Sequence, residues 1–194
     1  MVSGGSVKLS GDSEGAAVEC TAFSLTGGEL TLSCSDDSQP AGIHVSGAAT
    51  LRGGTVTVKN FGDFLVAAGD VSIGGGSIAI DSSGSGITSG KTLKVTGGSI
   101  LIKTDGCAMT AKSIAISGKP TLRLESATQT AFNAKTIKIA GKAYAARYPG
   151  VIIEGGKLVE GYKLLPDLSI DGRDFTMKQL NTGDQSGDGW SWSA

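Results

Sequence analysis

Four carboxylates near the N-terminus have the residue types and spacing that could hold a metal ion. Asp12 and Glu14 follow the first short strand of the chain, and Asp36 and Asp37 follow a second strand of the same pattern. If these two stretches are stacked turns, up to four carboxylates lie on neighbouring rungs, and calcium prefers oxygen ligands of this kind. The sequence therefore allows a calcium site, and a solvated acidic turn is the alternative interpretation.

Three basic residues are candidates for contact with an anionic ligand. Lys94 and Lys138 share one outward position of a repeated strand, and Arg123 projects from a different strand of the repeat. None of the three has an evident structural partner in the predicted register. An anionic polysaccharide could lie along them, and solvated side chains that keep the surface soluble are the alternative.

The residues for enzymatic chemistry are scattered. Eliminative cleavage of an acidic polysaccharide needs carboxylates that hold calcium and a nearby Arg or Lys that takes the proton. None of the four arginines lies beside a cluster of Asp residues, and the single histidine, His44, is predicted to point outward without a nucleophile beside it. The sequence therefore predicts no enzyme.

Cysteines and tryptophans complete the set of candidate residues. Cys20, Cys34 and Cys107 show no metal-binding spacing, and Cys107 stands where other repeats have a small residue, which predicts burial. Trp190 and Trp192 alternate with a serine and could stack on a sugar. We favour the other interpretation, in which the pair anchors a neighbouring module.

A repeated short strand must position these residues. It begins after a Gly pair or its equivalent and recurs at steps of 23, 26, 22, 22 and 22 residues, reading SVKL, ELTL, TVTV, SIAI, SILI and TLRL. A second clear strand and a shorter apolar patch follow in every unit. Alternation of apolar and polar residues predicts a sheet with one buried face. Strands of about four residues cannot close a core within one unit, so the units must stack.

The fold is therefore predicted to be all-β, a right-handed parallel β-helix (β-solenoid) of about six regular coils of ~22 residues with three short strands each. Leucine-rich repeats need Asn ladders and helical segments, and a propeller blade needs about 40 residues and four strands, so both fit less well. Stacking creates two aliphatic columns, which run from Val7 to Leu122 and from Leu9 to Leu124. A solvent-facing column beside them ends in Lys59, Asp81, Lys103 and Glu125, whose charges alternate in sign.

The chain divides into three predicted parts. Residues 1–142 form the parallel β-helix, residues 143–166 form an irregular terminal coil, and residues 167–194 form a C-terminal cap or a linker to a following module. Met1 is interpreted as a boundary inside a longer protein because the chain enters a repeat at once.

Units such as GGSIAIDSSGSGITSGKTLKVTGGSILIKTDG resemble the repeats of bacterial carbohydrate-binding domain-containing surface proteins. These are parallel β-helices found in gut and plant-degrading Firmicutes and similar in shape to pectate lyases. The resemblance covers Gly4 to about Gly141, and the ending GDGWSWSA is similar to the segment that leads into the next block of such proteins. It implies an exported, surface-attached protein, and in some members binding of acidic plant polysaccharides with calcium. This sequence has GSGI at Gly84–Ile87 where the family often has GDGI, so we expect no cofactor, with calcium as the alternative.

The resemblance implies a non-catalytic carbohydrate-binding or adhesion module of an extracellular, cell-surface protein. The expected partners are a polysaccharide or cell-surface glycan and neighbouring modules of the same polypeptide. A net charge of -1 gives no reason to expect nucleic acid, and no apolar run approaches the length of about 18 residues needed for a spanning helix. Two alternatives stay open: a structural stalk or spacer without a ligand of its own, and a polysaccharide lyase-like enzyme.

Overall fold

The computed structural model describes residues 1–10, 15–34, 41–145, 150–159, 165–166, 176–180 and 190–193. All secondary-structure elements in this part of the chain are β-strands. No helix long and apolar enough to span a bilayer occurs among these residues. The strands stack in parallel as a β-solenoid of about six coils, as the repeats predict.

One sheet is built from the first strand of every coil. In this first-strand sheet each strand pairs in parallel with its counterparts one coil before and after, and the strands of coils 1 to 6 are β1 (Ser6–Ser10), β4 (Glu29–Ser33), β7 (Thr55–Phe61), β10 (Ser77–Ser82), β13 (Ser99–Thr104) and β15 (Thr121–Ser126). Ile100 lies opposite Ile78 and Leu122, and Ile102 lies opposite Ile80 and Leu124. The predicted register of both aliphatic columns is therefore confirmed.

A second, larger sheet contains the remaining strands of each coil. In coils 1 to 4 these are separate second strands, β2 (Val18–Cys20), β5 (Ile43–Val45), β8 (Leu65–Ala67) and β11 (Ile87–Ser89), and third strands, β3 (Phe23–Leu25), β6 (Ala49–Leu51), β9 (Val71–Ile73) and β12 (Thr92–Val95). In coils 5 and 6 the two join into β14 (Met109–Ile116) and β16 (Phe132–Ile139). Three strands per coil is therefore correct for four coils only. Coil 5 has one residue fewer at this corner than coil 4: Ile87 and Thr92 lie opposite Met109 and Ser113, so five steps along the chain in coil 4 correspond to four in coil 5.

The interior is a single core of aliphatic columns with Phe61, Phe64 and Phe132 fully buried among them. Buried hydroxyls line one edge of this core. Ser82 Oγ donates a hydrogen bond to Thr104 Oγ1 at 3.1 Å, and Thr104 Oγ1 donates to the Gly84 carbonyl oxygen. These bonds compensate for the removal of the hydroxyls from water.

The Gly pair that precedes the first strand sets the spacing between coils. Gly76 has a φ of 90°, and a Cβ placed on it would lie 2.7 Å from the carbonyl oxygen of Gly54 in the coil before. The same carbonyl accepts the N–H of Ser77 at 2.9 Å. A left-handed φ and close backbone approach both require glycine at this corner.

Antiparallel strands follow the sixth coil. β17 (Lys142–Ala145) pairs with β16, and β18 (Gly150–Glu154) pairs with β15; β19 (Lys157–Leu158) and β20 (Leu165–Pro166) extend these two sheets. Within residues 143–166, the described strands reverse direction and cover the edges of the last coil. β21 (Thr176–Leu180) and β22 (Trp190–Ser193) form a separate antiparallel pair.

Replacement of Ile100 by lysine is expected to unfold the middle coils. Ile100 is 1% exposed, so the new ammonium group would be buried without a counter-charge, at a cost comparable with a domain's whole folding free energy of about 5–15 kcal/mol. The matched control is Leu101→Lys, because Leu101 is 46% exposed on the opposite side of β13. Circular dichroism and thermal melting measure both variants, and an unchanged melting temperature for Ile100→Lys would contradict the register.

Replacement of Ala140 by glycine is expected to stabilise the protein. Ala140 (φ 50°) and Gly141 (φ 81°) form the two-residue turn between β16 and β17, a type I′ geometry in which alanine is strained. Relief of that strain should raise the unfolding free energy by about 0.5–1 kcal/mol, as measured by urea denaturation. Ala79→Gly, within extended strand β10, should lower it by a similar amount.

Candidate functional site

The structure places the three predicted basic residues on two sheets. Lys94 in β12 and Lys138 in β16 are exposed on the outer side of the larger sheet, and Ala115 lies opposite both on the strand between them. Arg123 is exposed on β15 in the first-strand sheet. The three residues therefore do not follow one column of the solenoid wall.

Arg123 has a structural partner, and the prediction that it lacks one is wrong. Its Nε donates to Glu125 Oε1 at 2.8 Å, and the two side chains are 63% and 45% exposed. Residues two apart in a strand project from the same side, so this pair forms along β15. The prediction considered only neighbours across strands and missed it. An exposed pair of this kind contributes at most about 1 kcal/mol, but it neutralises the guanidinium.

Three further lysines, which the sequence analysis did not select, form a column on the larger sheet. Lys112 and Lys135 lie opposite each other, because the residues that flank them are paired: Ala111 with Ala134 and Ser113 with Thr136. Lys91 immediately precedes Thr92, which lies opposite Ser113, and the Lys91 carbonyl accepts the Lys112 N–H at 2.9 Å. All three lysines are exposed. They occupy the corner between the second-strand and third-strand segments of coils 4 to 6.

The corner column and the two outward lysines together form a face that we call the lysine face: Lys91, Lys94, Lys112, Lys135 and Lys138. The segments 87–95, 109–116 and 132–139 that carry it contain no Asp or Glu. Hydroxyl groups accompany the lysines, because Thr92, Ser113 and Thr136 stack beside the corner column and Thr136 Oγ1 donates to Ser113 Oγ at 2.9 Å. In coil 3 the counterpart of Lys91 is Gly69, and the counterpart of Thr92 is Asp70, whose Oδ1 accepts the Thr92 N–H at 3.0 Å.

Stacked lysines disfavour folding, since like charges directly opposite each other in a sheet repel. The chain avoids this arrangement elsewhere. On the first-strand sheet Asp81 lies opposite Lys59 and Lys103, and Lys103 lies opposite Glu125, so the predicted alternation of charge is confirmed. The lysine face therefore concentrates positive charge at a cost in folding free energy. The first-strand sheet avoids this cost, because the charges in its column alternate in sign.

A local motif explains why the corner lysines align. Each begins a segment of lysine, a hydroxyl residue and alternating aliphatic residues, which reads KTLKV at Lys91, KSIAI at Lys112 and KTIKI at Lys135. Isoleucine and leucine point into the core and fix the register, so the lysine before them always reaches the same corner. An alignment of the three segments on their first lysine, and not on the strands alone, would have predicted this column from the sequence.

The predicted acidic site lies outside the described residues: Asp12, Glu14, Asp36 and Asp37 all fall in stretches that the structure does not describe. In the described part of the chain, no group of three or more His, Cys, Asp or Glu residues could hold a metal ion. His44 is exposed as predicted, opposite Glu19 on the neighbouring strand.

The structure also describes the cysteines and tryptophans that the sequence singles out. Cys107 is buried, as its position predicts, and its Sγ donates to Gln129 Oε1 at 2.9 Å. Cys20 and Cys34 form no disulfide. Trp190 and Trp192 lie on β22, where they pair with Gln179 and Met177 on β21.

Comparison of the chain with models of protein families, with curated proteins and with solved structures finds no match. The resemblance of the repeats to bacterial surface proteins thus stays a prediction.

Reversal of the middle lysine is expected to stabilise the fold. Lys112→Glu converts the column of Lys91, Lys112 and Lys135 into one of alternating sign, which should raise the unfolding free energy by about 0.5 kcal/mol. Lys103→Glu is the matched reversal, because it places a third acid between Asp81 and Glu125 and should lower stability by a similar amount. Urea unfolding at low salt measures both effects, and both should shrink at high salt. A loss of stability in Lys112→Glu would show that the lysines do not repel each other.

Proposed function

We propose that this protein is a non-catalytic binding module whose lysine face holds an acidic polysaccharide. The observation that carries the proposal is the group of five lysines on three successive coils, three of them in one column, without a carboxylate in the segments that bear them. Following the sequence resemblance, we propose that the module belongs to a bacterial cell-surface protein and acts outside the cell.

A linear polymer suits this face because the face is itself linear. Successive coils lie about 4.8 Å apart, so the corner column of Lys91, Lys112 and Lys135 spans about 10 Å along the solenoid axis. A chain of acidic sugars laid along the axis meets one ammonium group at each coil. Several weak contacts to one polymer act together, so binding does not require an enclosed pocket.

The polar groups around the lysines favour sugars over nucleic acid. Thr88, Thr110 and Asn133 stack in register on the second-strand side of the corner, and they offer donors and acceptors to sugar hydroxyls. Proteins that hold single-stranded nucleic acid add aromatic side chains on which bases stack. In the three segments of the lysine face the only aromatic residue is Phe132, which is 1% exposed in the core.

The test is binding to polygalacturonate, measured by affinity electrophoresis for the parent and for a variant with Lys91, Lys112 and Lys135 all replaced by glutamine. Each exposed contact contributes roughly 0.5 kcal/mol, so loss of three should weaken binding about tenfold. The matched control replaces Lys8, Lys59 and Lys103 by glutamine. These lysines are exposed on the first-strand sheet, and the change in net charge is the same.

The control should bind as the parent does. Equal weakening of both variants would assign binding to net charge rather than to the lysine face, and no retardation of the parent would favour a spacer without a ligand. Single-stranded DNA competing as well as polygalacturonate would contradict the preference for sugars. Release of unsaturated uronate products would contradict a non-catalytic role.

A further inference from the structure

The lysine face ends between coil 4 and coil 3. Residues 65–73 of coil 3 contain no lysine or arginine and one carboxylate, Asp70. Gly69 takes the place of Lys91 there, and a Cβ on Gly69 would lie 2.8 Å from the Gly47 carbonyl oxygen. The close approach of coil 2 at this corner therefore excludes a fourth lysine from the corner column.

Asp70 presents a carboxylate at this end of the face. The hydroxyl residues beside the corner column, Thr92, Ser113 and Thr136, continue into coil 3 as Asp70, which is exposed. Asp70 Oδ1 accepts the Thr92 N–H at 3.0 Å, so the carboxylate is held against the residue that follows Lys91. In the described part of the chain Asp70 forms no ion pair. Its negative charge is therefore open to solvent at the point where the lysines end.

The other end of the lysine face is different. Lys138 lies opposite Ala143 in β17, which is uncharged. An acidic chain that extends past Lys138 therefore meets a neutral residue in this row, whereas one that extends past Lys91 meets Asp70. The two ends of the face thus act differently on a longer chain.

We infer that Asp70 limits the bound stretch of an acidic polysaccharide to three consecutive sugars, one for each lysine of the corner column. The inference rests on the proposed function and adds to it the length and the charge spacing of the ligand. Coils lie about 4.8 Å apart, and one sugar of an extended chain advances by a similar length, so each coil holds one sugar. A fourth sugar at coil 3 brings its carboxylate beside Asp70, without an ammonium group to offset the repulsion.

The same spacing favours a polymer that carries a carboxylate on every sugar. Such a chain places three carboxylates along Lys91, Lys112 and Lys135. A polymer with a carboxylate on every second sugar places at most two there and leaves at least one lysine without a counter-charge. The ligand class is therefore a homopolymer of uronic acids, not a chain of alternating acidic and neutral sugars.

Asp70→Asn tests the limit. The amide keeps an oxygen that can accept the Thr92 N–H and removes the charge, so the melting temperature should change little. The affinity ratio of tetragalacturonate to trigalacturonate should rise about twofold over that of the parent, because the fourth sugar is no longer repelled. Titrations followed by NMR at low salt, where exposed charges are screened least, measure these weak affinities.

The matched control is Asp81→Asn. It makes the same change in net charge at an exposed position of the first-strand sheet, so it should leave the ratio unchanged. Because the ratio compares two oligomers on one protein, it cancels any effect that the substitution has on both.

A second comparison tests the charge spacing. Trigalacturonate and a hyaluronan hexasaccharide each carry three carboxylates, on every sugar in the first and on every second sugar in the other. Trigalacturonate should bind at least about twofold more tightly. Equal binding would overturn the preference for a homopolymer.

An unchanged tetramer-to-trimer ratio in Asp70→Asn, or an equal rise in Asp81→Asn, would overturn the limit set by Asp70. The proposed function would still stand if polygalacturonate binds the parent and binds more weakly once Lys91, Lys112 and Lys135 are replaced by glutamine. Failure of polygalacturonate to bind the parent would overturn both.

Discussion

Backbone contact between successive coils at the Gly-Gly corner is the constraint on which the rest of this structure depends. The second glycine of the pair adopts a left-handed φ, and its carbonyl accepts the first N–H of the next coil's strand. A Cβ at either glycine would collide with the coil before. Coils 2 to 5 begin from this same contact, and in coil 6 the Thr121 N–H still donates to the Gly98 carbonyl, so their first strands start in the same register.

Surface chemistry follows from that register. Side chains at equivalent positions lie about 4.8 Å apart in columns, so the choice of residue at one position sets the charge of a whole stripe. The same scaffold carries an alternating column, Lys59 to Glu125, and a like-charged column, Lys91 to Lys135. A solenoid can therefore hold a linear binding face without a pocket or a loop of special shape.

The sequence predicted part of the candidate site. Lys94 and Lys138 were selected because strand alternation shows that they point outward on one column. Arg123 was selected by the same reasoning, but its neutralising partner, Glu125, lies two residues away on its own strand. Lys112 and Lys135 were missed because they lie within β14 and β16, where the predicted boundary between two strands does not exist, and Lys91 because it lies between the separate strands β11 and β12.

The sequence by itself determined the repeat, the register of the aliphatic columns and the alternation of charge from Lys59 to Glu125, because period-two alternation and a fixed step leave one way to bury the apolar residues. Only the tertiary structure decided which columns share a sheet, which charges are neutralised along a strand, and how the sixth coil is covered. Those features depend on where the chain turns corners and reverses direction, and a turn places residues side by side that no fixed spacing in the sequence connects.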